Sequence, residues 1–148
     1  MSSIQRILVP IDFSENASHA LEWAIDFARD LGAEIDLLHA YATSPNLGVY
    51  GVDLPGTLEE DVRRAAQKQL AAVAHDVAAK GIRVREHLAR EDPSVAIAEQ
   101  AQMLGSDLIV MGTRGLGGFQ HLLLGSVTER TIRHAPCPVL SVKATAPK

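Results

Sequence analysis

The chain has 148 residues, 47% hydrophobic and 22% charged, with a formal net charge of -4 at pH 7. That length suits one domain, 1–148, and that balance excludes both a disordered polyelectrolyte and an aliphatic membrane protein. The acidic excess argues against a general affinity for nucleic acid, and the lone Cys137 excludes an intramolecular disulfide framework or a thiolate zinc cluster built from this chain alone.

The opening stretch MSSIQRILVPIDFS holds one Arg and an apolar run broken by Pro10 and Asp12. Neither a secretory signal nor a spanning helix is expected there, and the expected location is cytoplasmic. Arg6–Ile11 is a continuous apolar run suited to a central strand buried on both faces. Ser14 is placed to cap a helix whose Ala17, Leu21, Ala24, Ile25, Ala28 and Leu31 share one face before Gly32 ends it, with Trp23 near the edge of that face.

Glu34–Tyr41 reads as the second strand, followed by a loop over 42–56 that is long for a compact domain. Gly48, Gly51 and Gly56 are candidate hinges, and the loop reads equally as a lid or as a disordered segment. A long helix follows, with Glu59, Glu60 and Asp61 at its positive end and Leu58, Val62, Ala66, Leu70, Val73 and Val77 as its stripe; Lys80–Gly81 closes it. Ile82–Leu88 alternates apolar and polar, which places it at a sheet edge.

Asp92 as cap and Pro93 in the first turn start a third helix, carrying Val95, Ile97, Ala98, Ala101 and Leu104 and ended by Gly105. Asp107–Gly112 is apolar throughout and therefore central. A glycine-rich stretch comes next, then a short helix from about Ser126 to His134 and a last strand over Cys137–Lys143. Cys137, ahead of Pro138 in an apolar run, reads as a small buried residue rather than a reactive thiol.

The stretch GTRGLGGFQHLLLGSVTER, Gly112–Arg130, decides the function. A Walker loop fails because Gly118 and Phe119 stand where Lys and Ser or Thr belong. The dinucleotide fingerprint fails because Gln120 occupies the place of its third glycine and the stretch lies late in the chain. A strand end, glycines and a helix start still let backbone amides converge on an anion. SVTE at Ser126–Glu129 also spells a capping box, so on these residues alone a ligand-free flexible loop before a capped helix reads as well.

The spacing Gly112, Gly115, Gly125–Ser126 is G-2x-G-9x-G-[ST], and with it the chain resembles the ATP-binding branch of the universal stress protein family. ILVPIDFSENASHAL is similar to that family's opening strand and helix, and DLIVMGTRG and GSVTERTIRHAPCPVLSV to its closing half. The likeness runs from Ile4 to Val142 and is weakest over Ala42–Leu88. It implies an α/β fold: an open parallel five-stranded sheet, order 3-2-1-4-5, with helices on both faces, Rossmann-like and akin to the adenine nucleotide alpha hydrolases. Winding then reverses between the first and fourth strands, where open sheets bind ligands, and Asp12 and Gly112 should meet there.

The resemblance further implies which residues touch nucleotide. Pro10, Ile11 and Asp12 line one side, with Asp12 near the ribose and phosphates and a candidate neighbour of Mg2+. Ala40 presents backbone to the adenine, and Met111 and Gly112 continue that wall. Gly115, Gly125, Ser126 and Val127 offer amides, and Ser126 its hydroxyl, to the phosphates. For Asp12 a turn or cap role is the competing reading.

No carboxylate lies between Met111 and Val127, and Gln120 and His121 are the only water-orienting candidates there, so no catalytic residue is assigned. The six histidines make no spacing-based metal pair. The expected function is a nucleotide-dependent stress-response or regulatory protein binding ATP, with ADP or AMP as alternatives and Mg2+ travelling with the nucleotide. The competing readings are a slow ATPase or nucleotidyl-transfer enzyme and a dimeric scaffold with a vestigial or AMP-binding pocket. The last strand, Pro138 to Val142, is expected to pair two copies into a homodimer, as in the family, and a regulatory protein partner is left unspecified.

Overall fold

The apolar run Arg6–Pro10 forms β1 in the middle of a parallel sheet, in a computed structural model that describes residues 3–41, 56–114 and 124–144. There follow α1 (Glu15–Leu31), β2 (Glu34–Ala40), α2 (Gly56–Ala79), β3 (Val84–Ala89), α3 (Pro93–Leu104), β4 (Leu108–Gly112), α4 (Ser126–His134) and β5 (Val139–Val142). The strand order is β3-β2-β1-β4-β5, with every neighbouring pair parallel. The chain therefore winds outward from β1 to one edge, returns, and winds outward to the other. Because crossovers are right-handed, that reversal puts α1 and α2 on one face and α3 and α4 on the opposite face.

Alternation along the strands feeds both layers. Ile7, Val9, Ile35, Leu37 and Val110 pack with Leu21, Ala24, Ile25, Leu70 and Val77, while Leu8, Leu38, Ile109 and Met111 pack with Ile97, Ala101 and Val127. α1 is capped by Ser14, whose side chain accepts from the Ala17 amide, and closed by Gly32 in the left-handed region at φ 67°. Asp92 caps α3 through the Ser94 amide, and Gly105 closes it at φ 63°.

Three helical stripes are narrower than the periodicity predicts. Leu31 is in phase with the buried face of α1 but is its last residue and half exposed. Leu58 and Val62 of α2 are exposed, and burial begins at Ala66. With 24 residues, α2 is about 36 Å long, whereas strands of 5 to 7 residues span about 17–23 Å, so its first turns overhang the sheet. Val95 of α3 is also exposed, and Ala96 takes the inward place.

Charged side chains tie the strands at their N-terminal halves. Asp36 on β2 is fully buried; Arg85 Nε and Nη2 donate to its two oxygens at 2.8 and 3.0 Å, and His87 Nε2 donates at 2.8 Å. Glu34 bridges Arg85 and Arg6, each at 3.3 Å. The amides of Gln5 and Arg6 donate to Asp107 Oδ2 at 2.9 and 3.0 Å, fixing β1 against β4 across a hundred residues of sequence.

Candidate functional site

The crevice at the reversal is built from the C-terminal ends of β1, β2 and β4 and the N-terminus of α4. The Ile11 amide donates to Leu38 O at 2.7 Å, and His39 Nδ1 donates to Ile11 O at 2.7 Å, so β2 holds both backbone polar groups of the residue before Asp12. Phe13 then takes a left-handed conformation, φ 63°, uncommon for a bulky residue, and its ring packs on His39 with centroids 4.6 Å apart. Asp12 Oδ1 accepts from both the amide and the hydroxyl of Ser14, the amide at 3.0 Å. Its carboxylate shapes the turn into α1, as the competing reading has it.

Gly112 lies directly against that turn. A Cβ on Gly112 would meet Asn16 O at 3.1 Å and Asn16 Cβ at 3.2 Å. The close approach of α1 therefore favours glycine at this place, since a side chain would need its neighbours to give by a few tenths of an ångström. The two motifs that the sequence separates, Asp12–Asn16 and Gly112–Arg114, do meet.

The start of α4 is bound to the same strand end. The Gly125 amide donates to Thr113 O at 2.6 Å, and Thr128 Oγ1 donates to Gly112 O at 2.8 Å. Thr128 is 2% exposed, so this second bond is shielded from water. The N-cap is Gly125, with no side-chain cap bond, and the Glu129 amide bonds to Gly125 O at 3.0 Å. This corrects the capping box: Ser126 is already inside the helix and exposed, and Glu129 pairs with Arg133 at 2.9 Å instead of reaching back. A helix whose first amides lack a side-chain cap presents donors and a positive dipole end at the crevice mouth.

Of the expected nucleotide contacts, Pro10 ends β1 and Ala40 ends β2, both half-buried at the rim. Ile11 sends its side chain into the core beside α1, so it has only backbone to offer. Met111 is 5% exposed and packs with Leu8 and Ile109 on the α4 side. Gly112, Gly125, Ser126 and Val127 converge at the β4–α4 junction, with Val127 leaning on the α4-side core. Gly115 and the loop hinges Gly48 and Gly51 lie outside the described residues. The sequence reading missed Asn16, His39, Phe13 and Thr128, none of which carries a local signal, since each acts on a residue of another strand or helix.

Two further titratable groups, Cys137 and Asp92, are held in structural roles. Burial, reinforced by the Asp107 carboxylate, pushes the Cys137 thiol up, away from a reactive thiolate. Ser94 hydrogen bonds, outweighing burial and helped by Arg130, hold the Asp92 carboxyl below its usual value. Among the described residues no three His, Cys, Asp or Glu side chains are placed to hold a metal ion, and no helix is long and apolar enough to cross a membrane.

The model of the universal stress protein family matches residues 3–143. Universal stress protein MJ0531 of Methanocaldococcus jannaschii is 33% identical over 139 residues, covering 94% of this chain and 82% of its own. The solved structure of MJ0577, also from Methanocaldococcus jannaschii and described as a structure-based assignment of biochemical function, superposes with a TM-score of 0.87 at 29% identity, covering 99% of this chain and 100% of that one. A universal stress protein solved in complex with cAMP superposes at 0.74 and 23% identity, over 97% and 100% of the two chains, and at that identity shares the fold.

Proposed function

The chain belongs to the universal stress protein family, and we propose that it is an ATP-binding member acting as a nucleotide-dependent stress-response or regulatory protein. The observation that carries this reading is the junction of Gly112 with α4: the G-2x-G-9x-G-S spacing coincides with a strand end and a helix start fastened together by Thr128 and Gly125. Adenine then lies over the ends of β1 and β2 at Pro10, Ile11 and Ala40, ribose against Met111 and Gly112, and phosphates at the amides of Gly115, Gly125, Ser126 and Val127.

Magnitudes require all of these contacts. A helix terminus contributes about 0.3–1 kcal/mol and a charge-assisted hydrogen bond about 1.5–3, whereas micromolar affinity needs about 8 net of association cost. Mg2+ fits the site only as the nucleotide's companion: it keeps several waters and takes one or two carboxylates besides phosphate oxygens. Among the described residues Asp12 is the carboxylate of the crevice, and with Oδ1 already accepting from Ser14 it would hold the ion loosely. The ion would neutralise phosphate charge.

The protein works as a cytoplasmic homodimer paired through Pro138–Val142 in this reading. Catalysis has no assigned residue, and ATP hydrolysis is at most slow. The cAMP complex of a fold relative favours a second reading, that the pocket takes AMP or a cyclic nucleotide in preference to ATP.

Titration calorimetry with ATP, ADP, AMP and cAMP on the wild type and on Gly115→Val and Ser126→Ala variants separates these readings. Micromolar ATP binding lost in Gly115→Val and weakened in Ser126→Ala supports the first; tighter binding of AMP or cAMP supports the second. Negligible heats with all four nucleotides on the wild type remove both.

A further inference from the structure

The two edges of the sheet differ in kind. β3 carries Arg85, Glu86 and His87 along its length, the charged edge that resists pairing with another chain. β5 is Val139–Val142 without a charge, and among the described residues no strand lies on its outer side. Beside that bare edge, on the face covered by α1, runs an apolar stripe that the monomer leaves in water.

Helical spacing places the stripe. Asn16 of α1 lies against Gly112, at the end of β4, and Trp23 is seven residues on, two turns down the same flank. Phe27 and Leu31 continue it at intervals of four. α1 touches both β4 and β5, and Phe27 and Leu140 pack on the same core cluster, so this flank borders the β5 edge. Trp23 is 48% exposed and Leu31 50%, and the Trp23 and Phe27 rings lie 6.1 Å apart.

We propose that the Trp23–Phe27–Leu31 flank of α1 forms the second half of the contact with another copy of this chain, beside the paired β5 strands. The inference rests on the reading that β5 strands pair. Antiparallel pairing about a two-fold axis perpendicular to the sheet puts both α1 helices on one face, with a gap between them over the joined strands. Leu140 of each copy lies at the floor of that gap, and Trp23 and Phe27 of each copy form its walls.

Area selects this occupant. A stable interface buries about 1,200–2,000 Å², more than the edge of a strand of 4 residues supplies by itself. Trp23 and Leu31 each keep about half of their surface exposed in one copy, so the flank adds apolar area to that edge, and the two-fold doubles every contribution. Trp23 in one copy meeting the partner copy's equivalent flank supplies the apolar centre that β5 lacks, and the surface is complementary to itself.

Sedimentation equilibrium on the wild type, Trp23→Asp and Met103→Asp tests it; Met103, 77% exposed on α3, reports what a surface charge does elsewhere. Trp23 is the one tryptophan of the chain, so its emission reads the contact directly. The expected result is a wild-type dimer whose emission shifts to the red on dilution, about thirtyfold weaker self-association in Trp23→Asp as for a central aromatic anchor, and no change in Met103→Asp. A Trp23→Asp protein that dimerises as tightly as wild type, with emission independent of concentration, overturns the inference and leaves β5 pairing standing. A wild type that is monomeric at tens of micromolar overturns both. Circular dichroism of the variants confirms that the fold is retained.

Discussion

Thr128 Oγ1 donates a 2.8 Å hydrogen bond to the carbonyl of Gly112, joining the first turn of α4 to the last residue of β4 out of reach of water. The bond sets where the helix amides point relative to the strand end, and both ends of the glycine motif depend on it.

Replacing Thr128 by Val keeps the volume and removes the donor, leaving a buried carbonyl without this partner. The expected cost is about 1–3 kcal/mol of stability, with about tenfold weaker ATP binding because the amides lose their alignment. Thr128→Ser keeps the hydroxyl and should bind as wild type. Urea denaturation paired with calorimetry decides; equal ATP affinity in the Val and Ser variants would sink the positioning role.

Gly112→Ala puts a Cβ 3.1 Å from the Asn16 carbonyl and 3.2 Å from the Arg114 carbonyl, both backbone atoms, which must give by a few tenths of an ångström. Relief requires α1 or the strand end to move, at about 1–3 kcal/mol as for other overpacked sites. A lower thermal midpoint accompanied by weaker nucleotide binding is expected. A variant with an unchanged midpoint would show that the turn yields freely.

Burial pushes the Asp36 carboxyl upward, but hydrogen bonds from His87 and Arg85 and the charges behind them prevail and hold it below its usual value. A depressed folded value means stability that is complete above the unfolded pKa of about 3.9 and is lost as pH falls through the folded value. Acid unfolding below about pH 4 should therefore carry an Asp36 contribution. Asp36→Asn should be less stable at neutral pH and show a shallower loss toward acid; urea midpoints between pH 2 and pH 7 with the same slope in both proteins would refute this.

Glu91, beside the start of α3, has its carboxyl raised, first by desolvation, then by a hydrogen bond with Glu99 and the charges of Glu99 and Asp92. The sign is opposite to that of Asp36. A raised folded value favours the protonated form, so the folded state loses stability as pH rises from the unfolded value, about 4.3, through the folded one. Glu99→Gln removes the repulsion and keeps a donor, and should raise the thermal midpoint at pH 7 while leaving it unchanged at pH 3. A lower midpoint at pH 7 would contradict the assignment.

The elements were legible where local chemistry is strong. Ser14, Gly32, Asp92, Pro93 and Gly105 mark helix ends by capping and left-handed turns, and all five sit at the ends expected of them. Apolar phase overstated the stripes at Leu58, Val62 and Val95, because phase says which way a residue points and not whether a sheet extends beneath it. The capping box at Ser126 failed by one residue: the helix starts with Gly125 as its cap, φ -71°, ψ 160°, an extended conformation open to any residue, and Ser126 falls in the first turn.

The sequence by itself determined the alternation of strands and helices, the central places of the Arg6–Pro10 and Leu108–Gly112 runs, and the glycine spacing of the candidate site, because these rest on side-chain periodicity and backbone preference within a few residues. Tertiary structure alone decided that Asn16 crowds a side chain at Gly112, that His39 and Phe13 set the turn at Asp12, and that Thr128 fastens α4 to β4. Those contacts join elements that become neighbours only when the winding reverses between β1 and β4. No local pattern encodes them, since each partner lies far away in the sequence.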